Sequence, residues 1–285
     1  MSVEAGSGVN AVETGATIRS LLRDCGLPRL EGEVLLCSIL GCERAWLIAH
    51  SEEGIDSSRA RAAGARFARR RAGEPVSHIT GWREFYGLAL RVTPEVLIPR
   101  PETELLVELA LGRLSPGAPA RVLEIGTGSG AIAIALASER PGLGIVATDV
   151  SEGALAVARR NAQEHRVEVD FVASDWFDAL GQEQFDLIVS NPPYVAARDP
   201  HLERGDVRFE PRLALVGGED GLACIREIAA RAQNRLRPGG TLLMEHGYDQ
   251  GDRCVELLGA LGYTEVADFN DLAGLPRACA GVWRG

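Results

Sequence analysis

The spacing of apolar and polar positions changes character near residue 80. From Val12 to Ala72 it is helical throughout. Val12, Ile18, Leu21 and Leu22 share one helical face, Leu35, Leu36, Ile39 and Leu40 mark a second helix, and Trp46 to Ile48 a third. Residues 57–71 are rich in Ala and Arg, good helix formers with little β-branching. Gly26-Leu27-Pro28, Gly41 and Gly54 punctuate these segments. Residues 1–80 therefore predict a small N-terminal helical bundle. Residues 75–101 are rich in Gly, Pro and aromatics. Residues 84–92 predict a hairpin around Tyr86-Gly87, and Pro94, Pro99 and Pro101 stop regular structure. Residues 81–101 are expected as a linker and lip rather than core.

From residue 102 onward helical and strand patterns alternate. Helices are expected over 102–114, 131–139, 152–164, 221–236 and 249–261. Strands are expected over 121–125, 144–148, 167–172, 185–190, 240–245, 264–269 and 278–282. Strands separated by helices predict an α/β domain over 102–285, with a doubly wound, mostly parallel, seven-stranded sheet.

At roughly 150 residues per domain, 285 residues leave room for a small unit beside a larger one. Thirty Lys and Arg against 40 Asp and Glu give a formal charge of -10, which disfavours general polyanion binding. The longest apolar run, Ala131 to Ala137, is far short of the about 20 residues that span a membrane. Residues 1–10 read as a frayed start rather than a secretion signal. Six cysteines form no CxxC pair and read as reduced thiols, so a cytoplasmic location is expected. The five His are scattered, and no metal site is expected.

Two stretches carry chemistry. Leu123-Glu124-Ile125-Gly126-Thr127-Gly128-Ser129-Gly130 follows the first sheet strand and opens a helix. Glycines there let the backbone turn sharply and approach a ligand, and helix-end N–H groups point into the same space. Asp149, ending the next strand, can accept both ribose hydroxyls of a nucleoside. Gly126, Gly128 and Ala131 also meet the relaxed dinucleotide fingerprint, so a nicotinamide oxidoreductase stays open on this loop alone. A turn needed only for helix–strand packing, with Asp149 as a plain helix cap, is the bland alternative.

The second stretch is Asn191-Pro192-Pro193-Tyr194, at the end of the apolar strand 185–190. The prolines fix the backbone and remove two donors, so the Asn191 and Pro192 carbonyls can be held as acceptors. The Asn191 side chain adds an acceptor, and Tyr194 offers a flat face. The set suits a planar –NH2 group attached to a π system. A rigid turn capping a strand is the bland alternative.

Together, Glu124 to Gly130, Asp149 and Asn191 to Tyr194 resemble the class I (Rossmann-like) S-adenosylmethionine-dependent methyltransferases that act on amino nitrogens. Ile98-Pro99-Arg100-Pro101-Glu102-Thr103-Glu104, Ser174-Asp175-Trp176-Phe177, Phe209-Glu210-Pro211 and Glu245-His246-Gly247 narrow this. They resemble the release-factor glutamine methyltransferases, the HemK/PrmC family, from about residue 15 to the C-terminus. One departure is Gly217-Gly218-Glu219-Asp220-Gly221, a loop without an assigned role.

The resemblance implies methyl transfer to the side-chain amide of the glutamine in the Gly-Gly-Gln motif of class 1 peptide chain release factors, with S-adenosylhomocysteine as by-product. It implies that Gly126, Thr127, Gly128, Ser129, Gly130, Asp149, Asp175, Trp176 and Asn191 bind the cofactor, with Trp176 stacking on adenine or, alternatively, simply packing in the core. Asn191, Pro192 and Tyr194 are implied as the catalytic group. They bind substrate with Pro193, Arg100 and Glu102; Glu104 and, more weakly, Glu210 are further candidates. A protein substrate is compatible with a monomer. Arg61, Arg66, Arg69, Arg70 and Arg71 form a basic face on the helical domain: a solvated surface, or a substrate-recognition surface for the factor. Competing readings are a DNA adenine or rRNA guanine amino methyltransferase, which the charge disfavours, and a non-catalytic binding module.

Overall fold

Glycine and short polar side chains end or start the N-terminal helices where the sequence places them. A computed structural model describes residues 16–115 and 117–285; residues 1–10 and Val12 fall outside the described residues. The chain divides into two compact units, Met1–Thr80 and Gly81–Gly285. The first holds α1 (Ile18–Asp24), α2 (Arg29–Leu40), α3 (Arg44–Ala49), α4 (Ser57–Arg71) and α5 (Val76–Thr80). Thr17 and Ser20 cap α1 reciprocally, at 3.1 and 2.9 Å. Asp56 caps α4 by accepting from the Ser58 and Arg59 amides. Gly41, at φ 67°, closes α2. Ile18, Leu35, Leu36, Leu47 and Phe67 form this unit's core.

The second unit begins with a hairpin, β1 (Trp82–Phe85) and β2 (Leu88–Arg91). Its two-residue turn is Tyr86-Gly87, with φ 51° and 73°. Both values are left-handed, as tight hairpins of matching twist require. The segment differs from the sequence expectation in one respect: it is core, not lip. Phe85, Leu90, Val92, Val96 and Ile98 are all buried, and Phe85 and Leu90 join the main apolar cluster. Only alternate positions point inward, so the apolar signal is too sparse among Gly and Pro to register in the sequence.

The sheet strands are β3 (Arg121–Ile125), β4 (Gly144–Asp149), β5 (Asp170–Ala173), β6 (Phe185–Ser190), β7 (Leu236–Glu245), β8 (Thr264–Asn270) and β9 (Pro276–Val282). Their order is β5-β4-β3-β6-β7-β9-β8. The first five run parallel; β9 runs antiparallel to both β7 and β8. Helices α6 (Glu104–Arg113), α7 (Ala131–Glu139), α8 (Glu152–His165), α9 (Ala223–Ala232) and α10 (Gly251–Ala260) complete the unit. Two large apolar clusters form, one containing α6 and α7 residues and the other α9 and α10 residues, with a small third of Val92, Val96 and Ala154. Helix α7 is buried from Ala131 to Ala137, which explains an apolar run with no polar face.

Several element boundaries move, most of all around residues 232–240. The helix expected to reach residue 236 stops at Ala232, and β7 already starts at Leu236. The register of β7 against β6 shifts between Phe185 and Leu187, and that irregularity accommodates Pro238 within a strand. Among the described residues no helix is long and apolar enough to cross a membrane.

The placement of Phe85 yields a prediction. Phe85→Ala should destabilise the protein by about 3–5 kcal/mol in urea unfolding. A loss under about 1 kcal/mol, the size of a surface change, would mean that the hairpin is a lip after all.

Candidate active site

The strand order reverses between β3 and β6, and in open α/β sheets that is where ligands sit. Ile125 pairs with Ser190 across these strands, so the glycine loop and the Asn191–Tyr194 segment leave the sheet side by side. Ser190 Oγ donates to the Ile125 carbonyl at 2.8 Å and ties the two strand ends together. A cavity of about 500 Å³ opens there. Its walls include Gly126, Thr127, Gly128 and Ser129 from the loop, Asp149 and Val150 after β4, and Asp175 and Trp176 after β5. Asn191 and Pro193 supply the wall after β6, and Arg100 and Thr103 the wall ahead of α6.

The glycines of the loop do different work. Gly126 and Gly128 have φ of 72° and 55°, and a Cβ at either would meet nothing within 4 Å. They permit the left-handed turn and leave open space above it. Gly130 lies outside the cavity lining, and a Cβ there would come within 2.8 Å of Ile134 and 3.2 Å of Ala158. Its lack of a side chain lets α7 pack closely on α8. The loop amides are largely spent inside the protein. Gly126 and Thr127 donate to the Thr148 carbonyl, Gly130 to the Thr127 carbonyl and Gly128 to Asp149 Oδ2 at 2.8 Å. Expected donors pointing at a ligand are thus mostly engaged.

Among the described residues, four carboxyl side chains line the cavity. Asp149 accepts from the Gly128 and Ser151 amides with one oxygen each, which leaves lone pairs on both for a diol. Burial raises its pKa. Glu124 accepts from Thr127 Oγ1 at 2.6 Å and from the Ala133 amide at 3.0 Å, and burial pushes its carboxyl up to about 8. Glu95 and Asp175 also face the cavity. Trp176, half-buried and partly packed on the second apolar cluster, holds φ at 48°. A bulky side chain in that region is strained, and such strain gathers at ligand sites.

The segment after β6 is braced from several sides. Asn191 Nδ2 donates to Thr103 Oγ1 at 3.0 Å. Thr103 Oγ1 in turn donates to Glu245 Oε2 at 2.6 Å, and the Tyr194 hydroxyl donates to Glu245 Oε1 at 3.0 Å. Burial raises the Glu245 carboxyl, opposed by both hydroxyl donors and by the positive charge of Arg277. Burial also raises the Tyr194 phenol, so it stays protonated. Pro192 is buried, and neither it nor Tyr194 lines the cavity. Among the described residues no hydrogen bond is made to Asn191 Oδ1 or to the Pro192 carbonyl.

The Gly217–Gly221 loop now has a role. The Val195 amide donates to the Leu215 carbonyl and the Val195 carbonyl accepts the Gly217 amide, both at 2.9 Å, and Gln250 Nε2 donates to the Tyr194 carbonyl at 3.1 Å. A Cβ on Gly217 would stand 2.4 Å from the Pro193 carbonyl, and one on Gly221 2.4 Å from that of Tyr194. Only glycine lets this loop lie against the Pro193-Tyr194 backbone.

Other expected residues separate. Arg100 reaches the cavity, held by the buried Glu210, which also accepts the Ile98 amide at 3.0 Å. Glu102 is exposed on a 3-10 turn and does not line the cavity. Glu104 accepts the Tyr86 amide at 2.9 Å and so anchors the hairpin turn. On α4, Arg69 pairs with Glu74 and Arg70 with Glu31, while Arg71 donates to the Cys25 carbonyl at 2.6 Å. Arg66 donates to Ser38, and Arg61 is exposed. His246, Cys254 and Cys279 gather in the interior, but both ring nitrogens of His246 already face oxygens, of Gly247 and Asp268. Sequence reasoning assigned no role to Glu124, Thr103 or Glu245. For the two acids a signal existed: each is the lone carboxylate of its strand and directly follows an apolar run.

Comparison with known proteins fits this geometry. The sequence profile of the Methyltransferase small domain matches residues 102–205, and that of the PrmC N-terminal domain residues 16–81. The structure is similar to that of a methyltransferase from Pyrococcus furiosus, at TM-score 0.54 and 21% identity over 76% of this chain and 98% of the other. It is also similar to a T. thermophilus 16S rRNA methyltransferase in complex with AdoMet and guanosine, at TM-score 0.53 and 22% identity over 71% of this chain and 50% of the other. Both likenesses establish the class I methyltransferase fold. The release factor glutamine methyltransferase of Bordetella pertussis is 50% identical over 93% of this chain and 98% of its own. That of Escherichia coli K12 is 46% identical over 89% of this chain and 92% of its own. With such identity along nearly the whole of both chains, the protein belongs to the release factor glutamine methyltransferase family.

Proposed function

We propose that this protein transfers a methyl group from S-adenosylmethionine to the side-chain amide nitrogen of the glutamine in the Gly-Gly-Gln motif of class 1 release factors. The observation that carries the reading is the meeting of Asn191 with the Gly126–Ser129 loop and Asp149 in one cavity at the switch point. The relatives' names support the substrate. The donor set fits the cofactor. Asp149 offers lone pairs to a ribose diol, Trp176 a face to adenine, and the carboxylates of Asp149, Asp175 and Glu95 suit a cationic ligand. The same carboxylates, with the loop amides already engaged, are hostile to a dinucleotide's diphosphate, which needs free helix-end N–H groups.

Bound there, the cofactor supplies an activated methyl on a sulfonium. An amide nitrogen is a weak nucleophile, so the work left to the protein is positioning and electrostatic stabilisation. Asn191 Oδ1 and the Pro192 carbonyl accept the two amide hydrogens and favour the positive charge that develops on nitrogen. Tyr194, protonated and tied to Glu245, packs against the amide plane. Arg100, held by Glu210, and Pro193 shape the entrance, and Glu102 stands on the surface beside it in sequence. The reading places the protein in the cytoplasm with the release factors, acting as a monomer. The helical unit, through the Arg61 and Arg66 side of α4, recognises the body of the factor.

Labelled methyl should pass from S-adenosylmethionine to purified release factor and not to its Gln→Ala variant at the Gly-Gly-Gln motif. Label on DNA or rRNA instead would move the protein to the nucleic-acid amino methyltransferases. Reversing charge at Arg61 and Arg66 together should raise KM for the folded factor several-fold and leave kcat unchanged, since rim charges act mainly on encounter. Unaltered KM would return that face to a solvated surface.

The raised carboxyl of Glu124 gives a pH signature. In the folded protein it keeps a proton up to about pH 8 that an unfolded chain releases near its ordinary value. Wild-type stability should therefore fall as pH rises from about 5 to 8, at up to about 1.4 kcal/mol per pH unit. Glu124→Gln keeps an acceptor for Thr127 and Ala133 but does not titrate. Its Tm without cofactor should gain on wild type across that window. Parallel Tm curves would show that Glu124 ionises normally.

A further inference from the structure

Glu245 ends β7 with its side chain fully enclosed, and both of its oxygens accept from hydroxyls. The chain of bonds that starts there leads to the amide of Asn191. A carboxylate can only accept, whereas a threonine hydroxyl has a single proton to give. Thr103 lies 2.6 Å from Glu245 Oε2 and commits that proton to it in a short, charge-assisted bond. Thr103 Oγ1 is then left only as an acceptor toward Asn191, 3.0 Å away. An asparagine amide has one donor edge and one acceptor edge, and their sense follows from the bonds around them. Asn191 must turn its NH2 to Thr103, and Oδ1 is left on the opposite edge.

We propose that Thr103 and Glu245 are positioning residues that hold the Asn191 amide with Oδ1, rather than NH2, toward the substrate nitrogen. The proposal rests on the reading of Asn191 as an acceptor for the glutamine amide. With the amide turned over, two NH2 groups face each other, and the substrate nitrogen loses the acceptor that orients it. Glu245 thus sets the polarity of a group it never touches and, through its other oxygen, ties down the Tyr194 hydroxyl. The arrangement selects nucleophiles that present N–H donors and rejects those that present only an acceptor. Thr103 and Glu245 come from segments far apart in the chain, and both are buried beside a cavity that Thr103 helps to line.

The test is a set of variants assayed with release factor, with Tm and S-adenosylhomocysteine affinity measured for each. Thr103→Val, which keeps the shape and removes the hydroxyl, should lower kcat/KM by about 10- to 100-fold, the range of a lost buried hydrogen bond. Cofactor affinity should stay within about threefold, a change under 1 kcal/mol. Thr103→Ser, which restores the hydroxyl, should recover most of the activity. Glu245→Gln should be impaired at least as much as Thr103→Val, because a carboxamide has one donor edge and must reverse either Thr103 or Tyr194. In an Asn191→Ala background, Thr103→Val should have no further effect, since it acts only through Asn191.

Near-normal kcat/KM in Thr103→Val would overturn the proposal, as would an equal loss in the Asn191→Ala background. The Thr103 pair decides the matter even where Glu245→Gln does not fold. Normal activity in Asn191→Ala alone would instead remove the acceptor reading on which the proposal rests.

Discussion

The reversal of strand order between β3 and β6 is the constraint on which the site depends. It forces two loops that follow different strands to leave the sheet at the same place. One is the glycine turn of Gly126 and Gly128, and the other the proline-stiffened segment that begins at Asn191. The pairing of Ile125 with Ser190 sets their relative height, and the bond from Ser190 Oγ to the Ile125 carbonyl locks it. At the opposite end of β6, Asp186 accepts the Arg121 amide of β3 at 2.7 Å and pairs with Arg237 of β7. The central strand is thereby pinned at both ends. A nucleoside site and an amide site can then face one another without either loop adjusting.

Three buried carboxylates hold what grows from that junction. Glu124 accepts Thr127 and the start of α7, Glu210 accepts Ile98 and Arg100, and Glu245 accepts Thr103 and Tyr194. Each takes two donors, Glu124 from within nine residues of itself and the other two from distant parts of the chain. Burying such a group is unfavourable unless its lone pairs are satisfied, so removing one donor leaves a penalty behind. This makes the arrangement rigid in a way an apolar core is not, because polarity as well as shape is specified. A reaction with a poor nucleophile benefits from that rigidity, since its rate depends on where groups already stand.

Much of this was legible in the residues. Strand and helix periods gave the alternating order of the large unit, and the motif residues fell on the strand ends where the fold brings them together. What stayed hidden has physical causes. Phe85 and Leu90 are core residues on short strands, so alternation leaves one inward position in each and no apolar run. Gly130 shares a motif with Gly126 and Gly128 but packs two helices, a difference visible only as a contact with Ala158. Gly217 and Gly221 are glycines because backbone carbonyls 2.4 Å from a would-be Cβ allow nothing else, and those carbonyls belong to a distant segment. Glu104 faces a hairpin amide rather than an entrance. The bond between Thr103 and Glu245 crosses 142 positions, and no local pattern announces it.

The most direct measurement is a crystal structure with S-adenosylhomocysteine and a peptide containing Gly-Gly-Gln. The account predicts the cofactor's ribose on Asp149. It also predicts the glutamine amide nitrogen within hydrogen-bond distance of both Asn191 Oδ1 and the Pro192 carbonyl, with Asn191 Nδ2 still on Thr103. A glutamine amide bound elsewhere, or an Asn191 turned with its NH2 toward the peptide, would contradict it.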